Sequence, residues 1–106
     1  MPARLLVPEH ARAGEVVAVR VLIQHPMETG FSHDMAGALI ARNVIHTLVA
    51  RYAGQEIFRA EMGSGIAANP MLQFWTIARA SGAITLEWVD DRGVRGSVSA
   101  SIVVEP

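Results

Sequence analysis

Four histidines, His10, His25, His33 and His46, and five of the ten carboxylates, Glu28, Asp34, Glu61, Asp90 and Asp91, are the side chains to weigh first for holding a metal or moving a proton. His25 and His33 flank a short polar turn that also carries Glu28, which makes a loop metal site or a small metal-dependent enzyme using His25, Glu28 and His33 the first chemistry to weigh. A metal site needs imidazoles converging on one ion at about 2.0–2.1 Å. No HxH, HExxH or EF-hand spacing supports that convergence here. Ser32-His33-Asp34 contains the residue types of a hydrolytic triad, but neighbours on an extended chain point to opposite sides and cannot relay a proton. Gly63-Ser64-Gly65-Ile66-Ala67-Ala68 has the spacing of a loose dinucleotide loop, yet Asn69-Pro70 forbids the helix whose N-terminus would meet a pyrophosphate. Ser64 lacks the flanking glycines of a nucleophile elbow, because Met62 and Ile66 stand there. Asp90-Asp91 reads as the start of a hairpin turn, where aspartate bonds its own backbone. No acid–base pair emerges, and the residues predict neither a catalytic site nor a cofactor.

Composition narrows the field further. The 106 residues contain no cysteine, so the chain itself forms no disulfide, persulfide or thiolate ligand. Formal net charge is −1 and no basic run is present, which argues against nucleic-acid binding through phosphates. All nine cations are arginine. No apolar segment has the length of a membrane span, and Met1-Pro2-Ala3-Arg4-Leu5-Leu6-Val7-Pro8 is too short an apolar run to read as a signal peptide. Taken by itself the sequence therefore reads as cytoplasmic. Apolar residues make up 51 %, high for one small domain, and such a surplus often covers itself with a partner.

The elements that must position these residues are strands. Ile84, Leu86 and Trp88 alternate with Thr85 and Glu87, and Val98, Ala100, Ile102 and Val104 alternate with serines, the period of half-buried strands. Asp90-Asp91-Arg92-Gly93 connects these two strands as a hairpin. Tyr52-Ala53-Gly54-Gln55 joins another pair, and Ser81-Gly82 turns the chain between Phe74–Arg79 and Ala83–Val89. Asp34 to about Ala41 is expected as loop, with a strand after it where Val44, Ile45, Thr47 and Val49 are β-branched. Residues 1–106 are thus expected to form one domain, an all-β sandwich of about seven antiparallel strands.

Two segments are apolar on both faces. Val17, Val19, Val21 and Ile23 lie on one side of their strand, with Val16, Ala18 and Leu22 on the other. Leu72 and Phe74 similarly oppose Trp75 and Ile77. Such a strand is either fully covered within its own domain or meets another protein, and a helix-free sandwich of this size favours the second.

The stretch Leu22-Ile23-Gln24-His25-Pro26-Met27-Glu28-Thr29-Gly30-Phe31 ends an apolar run in a proline-gated turn. His25 is held extended by the following proline, Pro26 donates no ladder bond, and Gly30 lets the chain turn back. A rigid sandwich could present this turn as a recognition surface, with Met27 as an adaptable contact and Glu28 as a specificity-setting charge. Together with Tyr52-Ala53-Gly54-Gln55-Glu56-Ile57-Phe58-Arg59-Ala60-Glu61, Ile66-Ala67-Ala68-Asn69-Pro70 and Ser81-Gly82-Ala83-Ile84-Thr85, the stretch resembles the SoxZ family. That family is the cysteine-free subunit of the SoxYZ sulfur-carrier complex of thiosulfate oxidation.

The resemblance implies an immunoglobulin-type sandwich that catalyses nothing and pairs with a SoxY-like subunit, in a heterodimer or larger heteromer. The cysteine that takes the sulfur sits on the partner's C-terminal arm. It implies transient docking to other Sox enzymes, periplasmic residence by export with a signal-bearing partner, and no nucleic-acid or membrane partner. Self-association of the subunit without its partner is compatible with the same surface. Gln24, His25, Pro26, Met27, Glu28, Ile66, Asn69 and Trp75 are the candidate partner-binding residues.

Overall fold

The computed structural model describes residues 2–63, 66 and 68–106. Among them there are eight strands and no helix: β1 (Ala3–Leu6), β2 (His10–Arg12), β3 (Val16–Ile23), β4 (Ile45–Tyr52), β5 (Gln55–Glu61), β6 (Met71–Ile77), β7 (Gly82–Asp90) and β8 (Arg95–Glu105). They form a sandwich of one three-stranded sheet, β1-β3-β6, and one five-stranded sheet, β2-β8-β7-β4-β5. Eight strands stand where about seven antiparallel ones were expected, and neither β1 nor β2 was read from the sequence; β2 is only three residues long and runs parallel to β8, where every other ladder is antiparallel. So short a strand carries no periodicity to read in a sequence.

The core lies between the sheets. Val17, Val19, Val21 and Ile23 face inward from β3 and Phe74 from β6, against Leu48, Ile84, Leu86, Trp88 and Ile102 of the larger sheet. Phe74 also stacks on Phe58 of β5 with ring centroids 4.5 Å apart and planes 3° from parallel, closing one side of the sandwich. The alternation read for β7 and β8 matches the burial of Ile84, Leu86, Trp88 and Ile102 and the exposure of Glu87, Ser97, Ser99 and Ser101.

The connections follow their local chemistry. Ala53 and Gly54 take φ of +51° and +82°, the paired positive values of a two-residue hairpin turn between β4 and β5. Gly93 takes φ +78° in the turn between β7 and β8. The Tyr52 hydroxyl donates to the Ala80 carbonyl at 2.5 Å and accepts from the amides of Arg79 and Ala80, which pins the β6–β7 turn to the opposite sheet. Residues 28–43, expected as loop for the most part, fold back on themselves. Glu28 and Asn43 exchange backbone bonds of 2.8 and 2.9 Å, and an isolated bridge joins His33 to Leu39. The Asp34 carboxylate accepts the amides of Ala36 and Ala38 and so builds the tip of this excursion. Phe31, Met35 and Leu39 on it are all exposed.

Candidate functional site

The turn after β3 is held from three directions. Ile23 N–H donates to the Pro70 carbonyl and Gln24 N–H to Pro2, so the chain leaves β3 already tied to its neighbours. At His25 the tie becomes reciprocal. Its amide donates to the Asn69 side-chain Oδ1 at 3.1 Å, and the Asn69 amide donates to its carbonyl at 2.7 Å. Asn69 adopts φ +52°, a conformation asparagine tolerates better than most residues. The imidazole then turns inward. Met27 N–H donates to Nδ1 at 3.0 Å, which places the ring hydrogen on Nε2, where it donates to Asp90 Oδ2 at 3.1 Å. His25 and Asp90 are both 3 % exposed.

Asp90 serves both loops at once. Its other oxygen accepts the amides of Arg92 and Val94, shaping the β7–β8 hairpin, as the sequence suggested for an aspartate in a turn. Burial is the largest influence on its carboxyl and works to raise the pKa. The bonds from His25, Val94 and Arg92 outweigh it and hold the pKa below the ordinary carboxylate range. Next door, Asp91 accepts Val44 N–H at 3.1 Å and lies 3.3 Å from the Arg42 guanidinium.

Met27 is buried as well, with φ +50°, and its Sδ lies 3.4 Å from the Ile45 amide. A non-glycine residue with positive φ stores strain, and here the buried thioether and the Met27–His25 bond hold the conformation in place. The structure therefore divides the candidate residues. His25 and Met27 brace the turn from within, where the sequence reading had placed Met27 on the surface as an adaptable contact. Gln24, Pro26 and Asn69 form its exposed skin, Ile66 is exposed with its amide bonded to the Gly63 carbonyl, and Glu28 is half-buried with its backbone bonded to Asn43. Trp75 is elsewhere, at 63 % exposure on the outer face of the three-stranded sheet.

That face is the second candidate surface. Leu22 pairs in register with Met71, Ala18 with Trp75 and Val16 with Ile77, and Leu6 of β1 stands beside Arg20. The large apolar members of these pairs are exposed. The two-sided apolar pattern of β3 and β6 signalled this face. Its outer members remain uncovered because the chain supplies only two layers. The loop residues Phe31, Met35 and Leu39 were not singled out in the sequence, since isolated apolar residues in a loop have no periodicity to mark them.

The metal alternative finds no geometry. Among the described residues no three His, Asp or Glu side chains are grouped to hold an ion. His25 is committed to Asp90 and Met27, and His33 stands out on the exposed 28–43 excursion. Within the dinucleotide-like stretch, Ser64, Gly65 and Ala67 lie outside the described residues.

The model of the family described as sulphur oxidation protein SoxZ matches residues 4–101. The chain belongs to the SoxZ family. The match runs from β1 through most of β8 and so takes in both candidate surfaces. This membership places the chain in Sox sulfur oxidation. No curated protein sequence matches it significantly. Among solved structures, the chain is similar to a variant of the superoxide reductase (neelaredoxin) from Ignicoccus hospitalis. That match has a TM-score of 0.74 at 19 % identity and covers 97 % of this chain and 79 % of that one. A variant of the Archaeoglobus fulgidus neelaredoxin in the reduced form matches with a TM-score of 0.60 at 21 % identity, covering 98 % and 87 %. The sulfur carrier protein SoxY from Chlorobium limicola f thiosulfatophilum matches with a TM-score of 0.67 at 10 % identity, covering 98 % and 79 %. At such identities the likeness is one of fold: the immunoglobulin-like sandwich is common to all of them.

Proposed function

We propose that this chain is the non-catalytic subunit of a SoxYZ sulfur-carrier complex, binding a SoxY-like subunit and helping present that partner's cysteine-bound sulfur to other Sox enzymes in the periplasm. The observation that carries this reading is the SoxZ match across residues 4–101 in a chain without cysteine. A subunit with no thiol cannot bear the sulfur, so its contribution is to bind and to orient.

The surfaces suit that role. Leu6, Val16, Leu22, Met71, Trp75 and Ile77 expose apolar surface on one sheet face, on either side of an Arg20–Gln73 hydrogen bond of 3.3 Å, and a partner covering them would gain roughly 25 cal/mol for each Å² of apolar surface withdrawn from water. A stable interface of this kind buries on the order of 1,200–2,000 Å² in total. The braced turn at Gln24, Pro26 and Asn69 lies near the Leu22 end of that face and supplies polar contacts for partner choice or for docking enzymes.

The reading is tested by co-expressing the chain with a SoxY-like subunit from the same source and capturing either one. Stable co-purification is expected, with Trp75→Lys and Leu22→Asp each lowering recovery about tenfold or more, as hot-spot losses above about 1.4 kcal/mol do. Failure of the wild-type pair to co-purify would sink the reading. Indifference to both substitutions would remove the sheet face from it.

A further inference from the structure

The sandwich has four sheet edges, formed by β1, β6, β2 and β5. An unpaired edge offers a row of free N–H and C=O groups to any strand that meets it, and soluble proteins guard such edges by shortness, charge or proline. Three of these edges are guarded. β1 has four residues, includes Arg4 and sits between Pro2 and Pro8; β2 has three residues and ends in Arg12; β5 carries Glu56, Arg59 and Glu61. The remaining edge, β6, is Met71-Leu72-Gln73-Phe74-Trp75-Thr76-Ile77, seven residues without a charge, a proline or a glycine. It pairs with β3 on one side and, among the described residues, with no strand on the other.

The composition of β6 is also self-complementary. Two copies meeting antiparallel about a two-fold axis at Phe74 would bring Met71 opposite Ile77, Leu72 opposite Thr76 and Gln73 opposite Trp75. All seven residues overlap in this register, and no like charges face each other. Parity is kept as well: the outward residues Met71, Gln73, Trp75 and Ile77 pair with one another and the inward ones do likewise. A slip of one residue would set outward side chains against inward ones. Beyond the strand, Arg79 would face Asn69, again without repulsion.

We propose that β6 is a homotypic edge, through which two copies of this chain pair antiparallel about Phe74 and join their three-stranded sheets into one of six strands. Such an isologous contact closes on itself and does not propagate into a fibre. It uses main-chain groups at the edge and leaves the outer apolar face of each copy for another protein, so it does not depend on the partner reading above.

The test begins with sedimentation equilibrium of the isolated wild-type protein across a dilution series, followed by amide exchange at both ends of the series. The expected result is a mass near twice the 11.4 kDa of the chain, falling by half on dilution, with exchange of β6 amides quickening in step. Because the chain has no cysteine, the double variant Gln73→Cys/Trp75→Cys adds a register readout: mild oxidation should give a disulfide-linked dimer that a reductant dissolves. A wild-type monomer at every concentration overturns the proposal. So does a dimer whose β6 amides exchange as fast as those of the monomer. Capture by a SoxY-like subunit is a separate assay and can fail or succeed independently.

Discussion

His25 Nε2 lies 3.1 Å from Asp90 Oδ2 across 65 positions of sequence, and this buried contact joins the turn after β3 to the hairpin between β7 and β8. Each residue also organises its own loop, His25 by accepting Met27 N–H and Asp90 by accepting the amides of Arg92 and Val94. The pair is therefore a junction between two loops at one end of the sandwich, and the exposed residues Gln24 and Pro26 inherit their position from it.

Removing one member should be far worse than its size suggests. His25→Ala leaves a desolvated carboxylate without its donor, and Asp90→Ala leaves the imidazole and two amides unpartnered. Each should cost about 2–4 kcal/mol, since leaving a buried donor or acceptor unsatisfied costs about 1–3 kcal/mol per group. Urea denaturation reads the loss. A change below about 1 kcal/mol in both would mean that water replaces the missing partner without penalty.

Acid should act through the same carboxylate. The pKa of Asp90 is lower in the folded protein than in the unfolded chain, so its contribution to stability is fully present above the unfolded value near 3.9. It is lost as pH falls from there through the folded value. The midpoint of denaturation should drop across that window, and Asp90→Asn should flatten part of the drop while lowering stability at neutral pH. Glu56 is also shifted down, through its bond to Arg59, but both are solvent-exposed and that pair should fade in added salt.

Asn69 combines an uncommon backbone conformation with a side-chain bond to the His25 amide. Asn69→Gly keeps the positive φ and loses the bond, whereas Asn69→Ala loses both. The alanine variant should be the less stable of the two by about 1 kcal/mol in thermal or chemical unfolding, the usual cost of forcing a β-carbon into this region. Equal stability of the two variants would show that the backbone relaxes freely.

Gly96 stands directly opposite Trp88 in the β7–β8 ladder, and a β-carbon there would fall 2.4 Å from the indole ring. Trp88 is buried and cannot step aside cheaply. Gly96→Ala should cost about 1–3 kcal/mol, the range for overpacking a filled site. Near-ultraviolet circular dichroism should also change as the indole moves. An unchanged spectrum at full stability would contradict this packing.

Much of the fold was legible in local pattern. Alternation in β7 and β8, the Ala53-Gly54 turn and the positive-φ glycine at position 93 all express constraints that act within a few residues, and each stands where its residues put it. The three-residue β2 was not legible, because its pairing with β8 is set by what the rest of the sheet leaves open. The turn after β3 stands at the stretch singled out in the sequence, but its depth was misread, although His25 and Met27 continue the inward alternation of Val17, Val19, Val21 and Ile23.

By itself, the sequence determined the all-β class, the family resemblance and the absence of a sulfur-bearing thiol, because each depends on residue identity or on a period of two along one strand. Only the tertiary structure decided that His25 meets Asp90, that Leu22, Trp75 and Ile77 share an uncovered face, and that β6 is an unguarded edge. Those facts depend on which segments lie side by side in two packed sheets, and side-chain spacing within a strand carries no information about what stands across from it.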